Sequence, residues 1–410
     1  MRIAPYRRAA MAAAVLLLAS ACSSAVTGQN TSGGGGGGFV PPGVPAQPNL
    51  TQAALLAGGE AEGEVDLVAW AGYAQDGSDG GPDWVHPFEA ATGCQVNVTV
   101  ADTSDEMVEL MKTGEYDAVS ASGDVTLQLI AGGDVAPANT SLVPNYTSVY
   151  SDLKLQPWNS VGGVPYGIPQ GRGANLLMYN TEAVTPAPTS WSAVFNPDSP
   201  YAGKITDYDG AIYLADGALY LMKTKPALGI KNPYELTRVQ FNAVVALLKA
   251  QHGEVGDYWS DDTTEQAGFD LGDDLLGTTW QATTQAVQSG KKVSVDAIVP
   301  SEGSTGWSDT WMISATSAHP DCAYEWMNWV VSPKVNAEVA TYSGQAPSNP
   351  LACTYADASE PGFCTAYHAD DAAYWKNIYY WSTPTTDCGD GSDDCVPYTD
   401  WVTAWNEIEG

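Results

Sequence analysis

Between residues 65 and 119 the chain alternates two kinds of apolar pattern, and this alternation restricts its fold more than any other feature. Val65 to Trp70 is strand-like, and Asp83 to Ala91 reads as a helix stopped by Gly93. Val96-Asn97-Val98-Thr99-Val100 alternates as a strand does. Thr103 with Glu106 forms a capping-box pattern ahead of Met107, Leu110 and Met111, which share one helical face, and Gly114 ends that helix. Asp117-Ala118-Val119 starts another strand. Strand, helix, strand, helix, strand predicts a mainly parallel α/β sheet. Further on, Tyr234 to Gln251 reads as an amphipathic helix, with Leu236, Val239, Val244, Leu247 and Leu248 near one side. A helix is also expected from Cys322 to Val331, opened by Pro320. No fixed-period repeat is present, which argues against a solenoid or propeller.

The first residues have a different character. Arg2, Arg7 and Arg8 precede an apolar run, Ala9 to Ala19, then small residues and Cys22. This is the layout of a secretory signal, and the run is shorter than the about 20 apolar residues of a membrane span. Leu18-Ala19-Ser20-Ala21-Cys22 resembles a bacterial lipobox, although alanine three positions before the cysteine is a looser fit than leucine. The expectation is a signal over 1–22 with Cys22 lipidated, ordinary secretion being the other reading. Residues 23–62 contain Gly33 to Gly38 and Pro41, Pro42, Pro45 and Pro48, a composition that buries no core and serves as a tether. The body from about 63 onward exceeds the usual size of one core, so two lobes are expected.

The sequence has 48 acidic and 16 basic residues. That balance lacks the basic footprint of a nucleic-acid binder. It suits either a surface that steers cations or simply a soluble acidic surface. Seven cysteines are present. With Cys22 lipidated, six remain: Cys94, Cys322, Cys353, Cys364, Cys388 and Cys395. An even number in an exported chain suggests disulfides. Cys353/Cys364 and Cys388/Cys395 would staple local loops and Cys94/Cys322 would tie distant segments, although six cysteines allow about fifteen connectivities. No pair has the CxxC spacing of a zinc or redox site.

Catalytic motifs are missing: there is no G-x-S-x-G elbow, no H-E-x-x-H and no Walker sequence. His86, His252, His319 and His368 are scattered and have no ligand spacing. Two acidic, Gly-rich loops, one with Asp76, Asp79 and Asp83 and one with Asp387, Asp390, Asp393 and Asp394, contain the oxygen ligands calcium uses, but neither has EF-hand spacing. The expectation is therefore no cofactor, no metal and no catalytic pair. The aromatic content is uneven: 14 Trp and 21 Tyr against 6 Phe. Such rings suit walls around amphiphilic ligands and attract ammonium groups, though most individual rings serve a core.

The order of elements resembles the bacterial extracellular solute-binding proteins of the spermidine/putrescine type. The resemblance extends from about Val65 to Glu409. Its strongest segment is Val299-Pro300-Ser301-Glu302-Gly303, Gly306-Trp307-Ser308-Asp309, the helix from Cys322, and Ser332-Pro333. Ser343 to Asn349, Ala69 to Tyr73, Tyr116 to Val119 with Ser122, and Tyr166 to Asn180 agree in order with the family. Thr189-Ser190-Trp191 and Leu271-Gly272 with Trp280 do so too. No single motif is specific; the shared order carries the likeness.

The resemblance implies a two-lobed periplasmic-binding-protein-like α/β fold of type II, with crossover strands as the hinge. By sequence position, 63–172 plus 308–350 would form lobe 1, and 173–307 plus 351–410 lobe 2. It also implies a protein that delivers a small amine to an ABC permease; a lipidated Cys22 would hold it, as a monomer, on the outer face of the cell membrane, periplasmic or cell-surface. Trp70, Tyr73, Trp280 and Trp307 fit the family's ring positions, Asp309 an ammonium-gripping carboxylate, and Ser122 a cleft hydroxyl. Departures occur as well. Gly72, Gly210 and Tyr213 stand where the family has acids, with Asp209 adjacent. Asp124 and Arg172 stand where polyamine binders have aromatic residues. An arginine facing the cleft would repel a polyamine and pair with a carboxylate; the same residue also suits a structural salt bridge. A polyamine is the first expectation, and a zwitterion held by Arg172 and Asp309 the second. A secreted hydrolase with paired carboxylates, or a surface adhesion protein, represents a different class.

Overall fold

The structure is a computed structural model, and it describes residues 62–409. Cys22 and the segment read as signal and tether lie outside the described residues. The chain runs β1 (Glu64–Ala69), α1 (Val85–Thr92), β2 (Gln95–Val100), α2 (Ser104–Lys112), β3 (Ala118–Ala121), α3 (Gly123–Gly132), β4 (Gly167–Pro169), β5 (Gly171–Ala174) and β6 (Leu176–Asn180). Next come β7 (Ile205–Tyr208), α4 (Leu214–Thr224), α5 (Arg238–His252), β8 (Val255–Trp259), α6 (Asp262–Leu271), β9 (Leu276–Thr279), α7 (Gln281–Gly290) and β10 (Val295–Ile298). The last part holds β11 (Ser304–Trp307), β12 (Thr310–Ile313), α8 (Pro320–Val330), α9 (Pro333–Ser343), β13 (Ala346–Pro347), α10 (Cys353–Ser359), β14 (Ile378–Tyr380) and α11 (Tyr398–Glu409).

Two five-stranded sheets result. One has the order β2-β1-β3-β12-β4, and the other β8-β7-β9-β6-β10. β1 is parallel to β2 and β3, while β12 is antiparallel to β3 and β4. The second sheet repeats the plan: β7 is parallel to β8 and β9, and β6 is antiparallel to β9 and β10. Central β1 buries Val65, Leu67, Val68 and Ala69, as a strand covered on both faces must. β2 lies at the sheet edge and keeps Asn97 and Thr99 among its apolar residues, which blunts pairing with another chain.

The chain passes between the two sheets twice. It leaves β4 through β5 to reach β6, and it returns from β10 through β11 to β12. β5 and β11 pair antiparallel, with Gly306 opposite Ala174 and Trp307 opposite Gly173, inside a third sheet of order β13-β5-β11-β14. Two adjacent crossing strands between two α/β bodies form the two-lobed, hinged arrangement that the resemblance implies. Residues 351–376 pack beside α9 and this third sheet, and α11 packs on α5.

Local signals explain most element ends. Thr103 Oγ1 accepts the Glu106 N–H at 3.1 Å. Glu106 reaches back one residue further than a capping box requires, to the Asp102 N–H at 2.9 Å. The helix read over Tyr234 to Gln251 begins instead at Arg238, because Thr237 and Gln240 form a reciprocal capping box there. Leu236 is therefore buried outside the helix, and Val239 is 73% exposed on its outer side. α8 starts at Pro320, where a missing N–H leaves no bond unmade. Disulfides join Cys94 to Cys322, Cys353 to Cys364, and Cys388 to Cys395. The first ties the start of β2 to α8, beside the edge-to-face pair Phe88–Trp326 (5.2 Å).

Candidate functional site

The carboxyl ends of the strands, where open α/β sheets place their ligands, hold most of the residues that the sequence singled out. Trp70 and Tyr73 follow β1, Ser122 and Asp124 lie at the β3–α3 junction, Trp280 caps α7 after β9, and Trp307 and Asp309 flank the turn from β11 to β12. Tyr208 and Trp259 end β7 and β8, and Trp381 follows β14.

Asp309 is the centre of this group. Its carboxylate is buried and accepts one hydroxyl on each oxygen, from Tyr73 and from Ser122. Burial pushes its pKa up to about 6, against the pull of these two hydroxyls. Asp124 is buried as well, and its Oδ1 accepts the Ser104 hydroxyl at 3.0 Å. Burial raises it to about 7, with repulsion from Asp105 and Asp309 adding to the effect. No basic group is among those acting on Asp309. The fold thus brings two desolvated carboxyl groups into each other's field without a protein cation to neutralise Asp309, an arrangement that favours a bound positive charge.

Aromatic rings form the facing wall. The Tyr208 ring lies 5.1 Å from Trp259, 5.8 Å from Trp280 and 5.7 Å from Trp381. Trp280 meets Trp259 edge-on at 4.8 Å and Trp307 at 6.4 Å. Burial, then the charges of Asp124, Asp209 and Asp309, drive the Tyr208 pKa upward, so this phenol stays protonated. Trp307 lies against the backbone of Gly173, where a Cβ would stand 2.4 Å from the indole. Glycine on the crossover strand is what lets this ring settle. Trp70 packs against both of the large apolar cores, and its backbone N–H donates to Ser120 Oγ at 3.3 Å.

Arg172 is placed differently. It is buried on β5, and its guanidinium is committed to Asp152 (2.7 Å), the Ala369 carbonyl (3.1 Å) and the Tyr380 hydroxyl (3.4 Å). It also lies between the rings of Tyr150 (5.0 Å) and Trp375 (4.3 Å). Of the two roles the sequence allowed it, the structure displays the salt bridge, and the fold does not bring its charge onto Asp309. Arg172 itself lines a small cavity with Trp280, Trp307, Tyr367 and Trp375, of about 10 Å³, roughly one water.

Both acidic loops are exposed and folded on themselves. Asp76 and Asp79 accept backbone N–H groups two residues on, as do Asp387 and Asp390. The tightest mixed group among the described residues is Asp66, Asp117 and His319. Asp117 there already accepts from Asp66 N, Ser317 Oγ, His319 N and His319 Nδ1, so it clamps the chain ahead of α8. Sequence reasoning passed over Tyr208, Trp259 and Trp381. Tyr208 stands directly before Asp209, and Trp259 ends a partly exposed edge strand; position at a strand's carboxyl end was the available signal.

Comparison with known proteins agrees with this layout. Residues 83–361 match the family model described as bacterial extracellular solute-binding protein. The chain is 24% identical over 294 residues to spermidine/putrescine-binding periplasmic protein 1 of Haemophilus influenzae, covering 70% of this chain and 75% of that protein. It is 25% identical over 278 residues to the spermidine/putrescine-binding periplasmic protein of Escherichia coli, covering 65% and 74%. Among solved structures, a putative spermidine/putrescine ABC transporter protein of Listeria monocytogenes superposes with TM-score 0.67 at 18% identity, covering 85% of this chain and 98% of that one.

Proposed function

The chain belongs to the family of bacterial extracellular solute-binding proteins, and from that premise we propose that it captures a small cationic amine of the polyamine class in the cleft around Asp309. Proteins of this family bind small solutes for ABC permeases and are not enzymes. One observation carries the choice of a cation: Asp309 and Asp124 are buried together, without a basic partner acting on Asp309, beside the rings of Tyr208, Trp280 and Trp307. Rings bind an alkyl stem and attract ammonium, and a desolvated carboxylate forms charge-assisted hydrogen bonds. The names of the curated relatives support the polyamine class.

In this reading the ligand-contacting set is Trp70, Tyr73, Ser122, Asp124, Trp280, Trp307 and Asp309, joined by Tyr208. Lobe 1 comprises 63–172 with 308–350, and lobe 2 comprises 173–307 with 351–410. The protein acts as a monomer held at the membrane by lipid on Cys22, a role supported by the lipobox-like Leu18 to Cys22. Among the described residues no helix is long and apolar enough to cross a membrane. A thermal-shift panel of putrescine, spermidine, amino acids and betaines tests the choice of ligand. A ligand at 100 times its Kd stabilises by about 2.7 kcal/mol. Polyamines are expected to give that shift, and a shift from zwitterions alone would move the reading to a carboxylate-bearing ligand.

A further inference from the structure

Trp280 and Gln281, the N-cap and first residue of α7, border the cavity that Arg172 and Trp307 also line. Two side-chain donors of this lining have no acceptor. Arg172 is 2% exposed. Its Nη1 and Nη2 serve Asp152, Tyr380 and Ala369, but its Nε–H has no hydrogen-bond partner. The Trp307 Nε1–H is also shut off from solvent and unpaired. Buried donors without acceptors are rare in folded proteins, and each calls for an explanation.

The end of α7 adds to the same demand. The first N–H groups of a helix have no partner within it, and no side chain caps this ten-residue helix. Such an end carries partial positive charge and attracts anions. Gly344, which also lines the cavity, closes α9 onto this turn. Its φ is 66°, and a Cβ on it would stand 2.4 Å from Ala282. The charge balance of the lining is the reverse of the chain's. The sequence has 48 acidic residues against 16 basic ones, yet among the described residues no carboxylate lines this cavity, while Arg172 and His368 do. Asp152, which shares the Arg172 charge, stands outside the lining, and its side chain is half exposed. The room of about 10 Å³ is on the scale of one water. It suits a monatomic anion and is too small for a carboxylate or phosphate group.

We propose that this cavity is a halide site, with chloride as the occupant, held by the Arg172 Nε–H, the Trp307 Nε1–H and the N-terminus of α7. The hydrogen bonds would be charge-assisted. The ion would join β5, β11, α7 and the segment around Trp375 at one point, and so brace the place where the two crossing strands meet the second body. The site shares Trp280 and Trp307 with the amine cleft but requires nothing of the cleft's ligand, so the two readings stand or fall separately.

Thermal melting of the full-length protein at constant ionic strength tests this, with sodium gluconate replaced stepwise by sodium chloride or sodium bromide. Both halides are expected to raise the melting temperature along a saturating curve, as a ligand of the folded state does, and sodium acetate is expected not to. Arg172→Lys keeps the positive charge and loses the Nε–H. Its halide midpoint should move at least about tenfold to higher concentration, the lower end of the scale for a hydrogen bond to a charged group. Trp307→Phe removes the other donor and should shift the midpoint in the same direction, which keeps the test open if the lysine variant does not fold. Crystals grown in bromide should show its anomalous signal between Arg172 and Trp307. Coincident wild-type curves in gluconate and halide would overturn the inference. So would bromide in the crystal without a saturable effect in solution, an adventitious ion only. Stabilisation by acetate and not by halide would overturn it too, because the donors would then serve a carboxylate.

Discussion

Asp309 joins two roles that are separable by experiment. In the structure it anchors Tyr73 and Ser122; in the proposed complex it would grip an ammonium. Asp309→Asn keeps the shape and removes the charge. It is expected to weaken amine binding by about 1.5–3 kcal/mol, the scale for hydrogen bonds to charged groups. Unchanged affinity in a titration would remove Asp309 from the site. The pH dependence of stability has a definite sign. The pKa values of Asp309 and Asp124 rise on folding, to about 6 and about 7, above the ~3.9 of an unfolded aspartate. Between these limits the folded state holds more protons, so stability falls as pH rises. His319 is also raised by Asp117 and Glu64, once burial has pulled the other way, and its contribution is lost as pH rises through its folded pKa. The empty protein is therefore expected to melt higher at pH 5.5 than at pH 7.5, and the slope should flatten in Asp309→Asn. A melting temperature that climbs across this window would contradict the environments assigned to these groups.

Elements differ in how far their sequences alone defined them. β1, α1, β2, α2 and β3 were legible within a few residues, because period and caps agree there: the helix-stopping Gly93 has φ 80°, and Thr103 caps as its spacing implies. α5 was read four residues too early. Its apolar spacing continues back to Leu236, and only the capping box at Thr237 and Gln240 fixes the start. The site was half legible. Trp307 and Asp309 sit in a recognisable turn, whereas Tyr208, Trp259 and Trp381 become neighbours only when separate strand ends converge. Arg172 shows the opposite case: its partners Asp152, Ala369 and Tyr380 come from three distant segments, so no local pattern announces the clamp. At this scale the Cys94–Cys322 bond closes 228 residues. Replacing both cysteines by alanine is expected to cost about 2–5 kcal/mol in a denaturant titration, as for other native disulfides. No change in the unfolding midpoint would mean that the bond contributes nothing to this lobe.

The whole molecule consists of two α/β bodies linked by a pair of crossing strands, with acids and rings where the bodies meet. β5 and β11 are short and paired to each other, so a change of angle between the bodies can be absorbed there without disturbing either five-stranded sheet. The candidate site draws on both sides: Tyr208, Trp259 and Trp280 come from the second sheet, and Tyr73, Ser122, Asp124 and Asp309 surround the first. In the proposed function, closing the lobes on a ligand would complete the site, and the ligand would supply the positive charge. That claim is tested most directly by calorimetric titration with putrescine at pH 6.5 in two buffers of different ionisation enthalpy, which counts protons exchanged on binding. An ammonium placed beside Asp309 and Asp124 lowers pKa values that start at about 6 and about 7, so binding is expected with net release of protons. Proton uptake, or no binding of any amine, would contradict an acid-lined cation site.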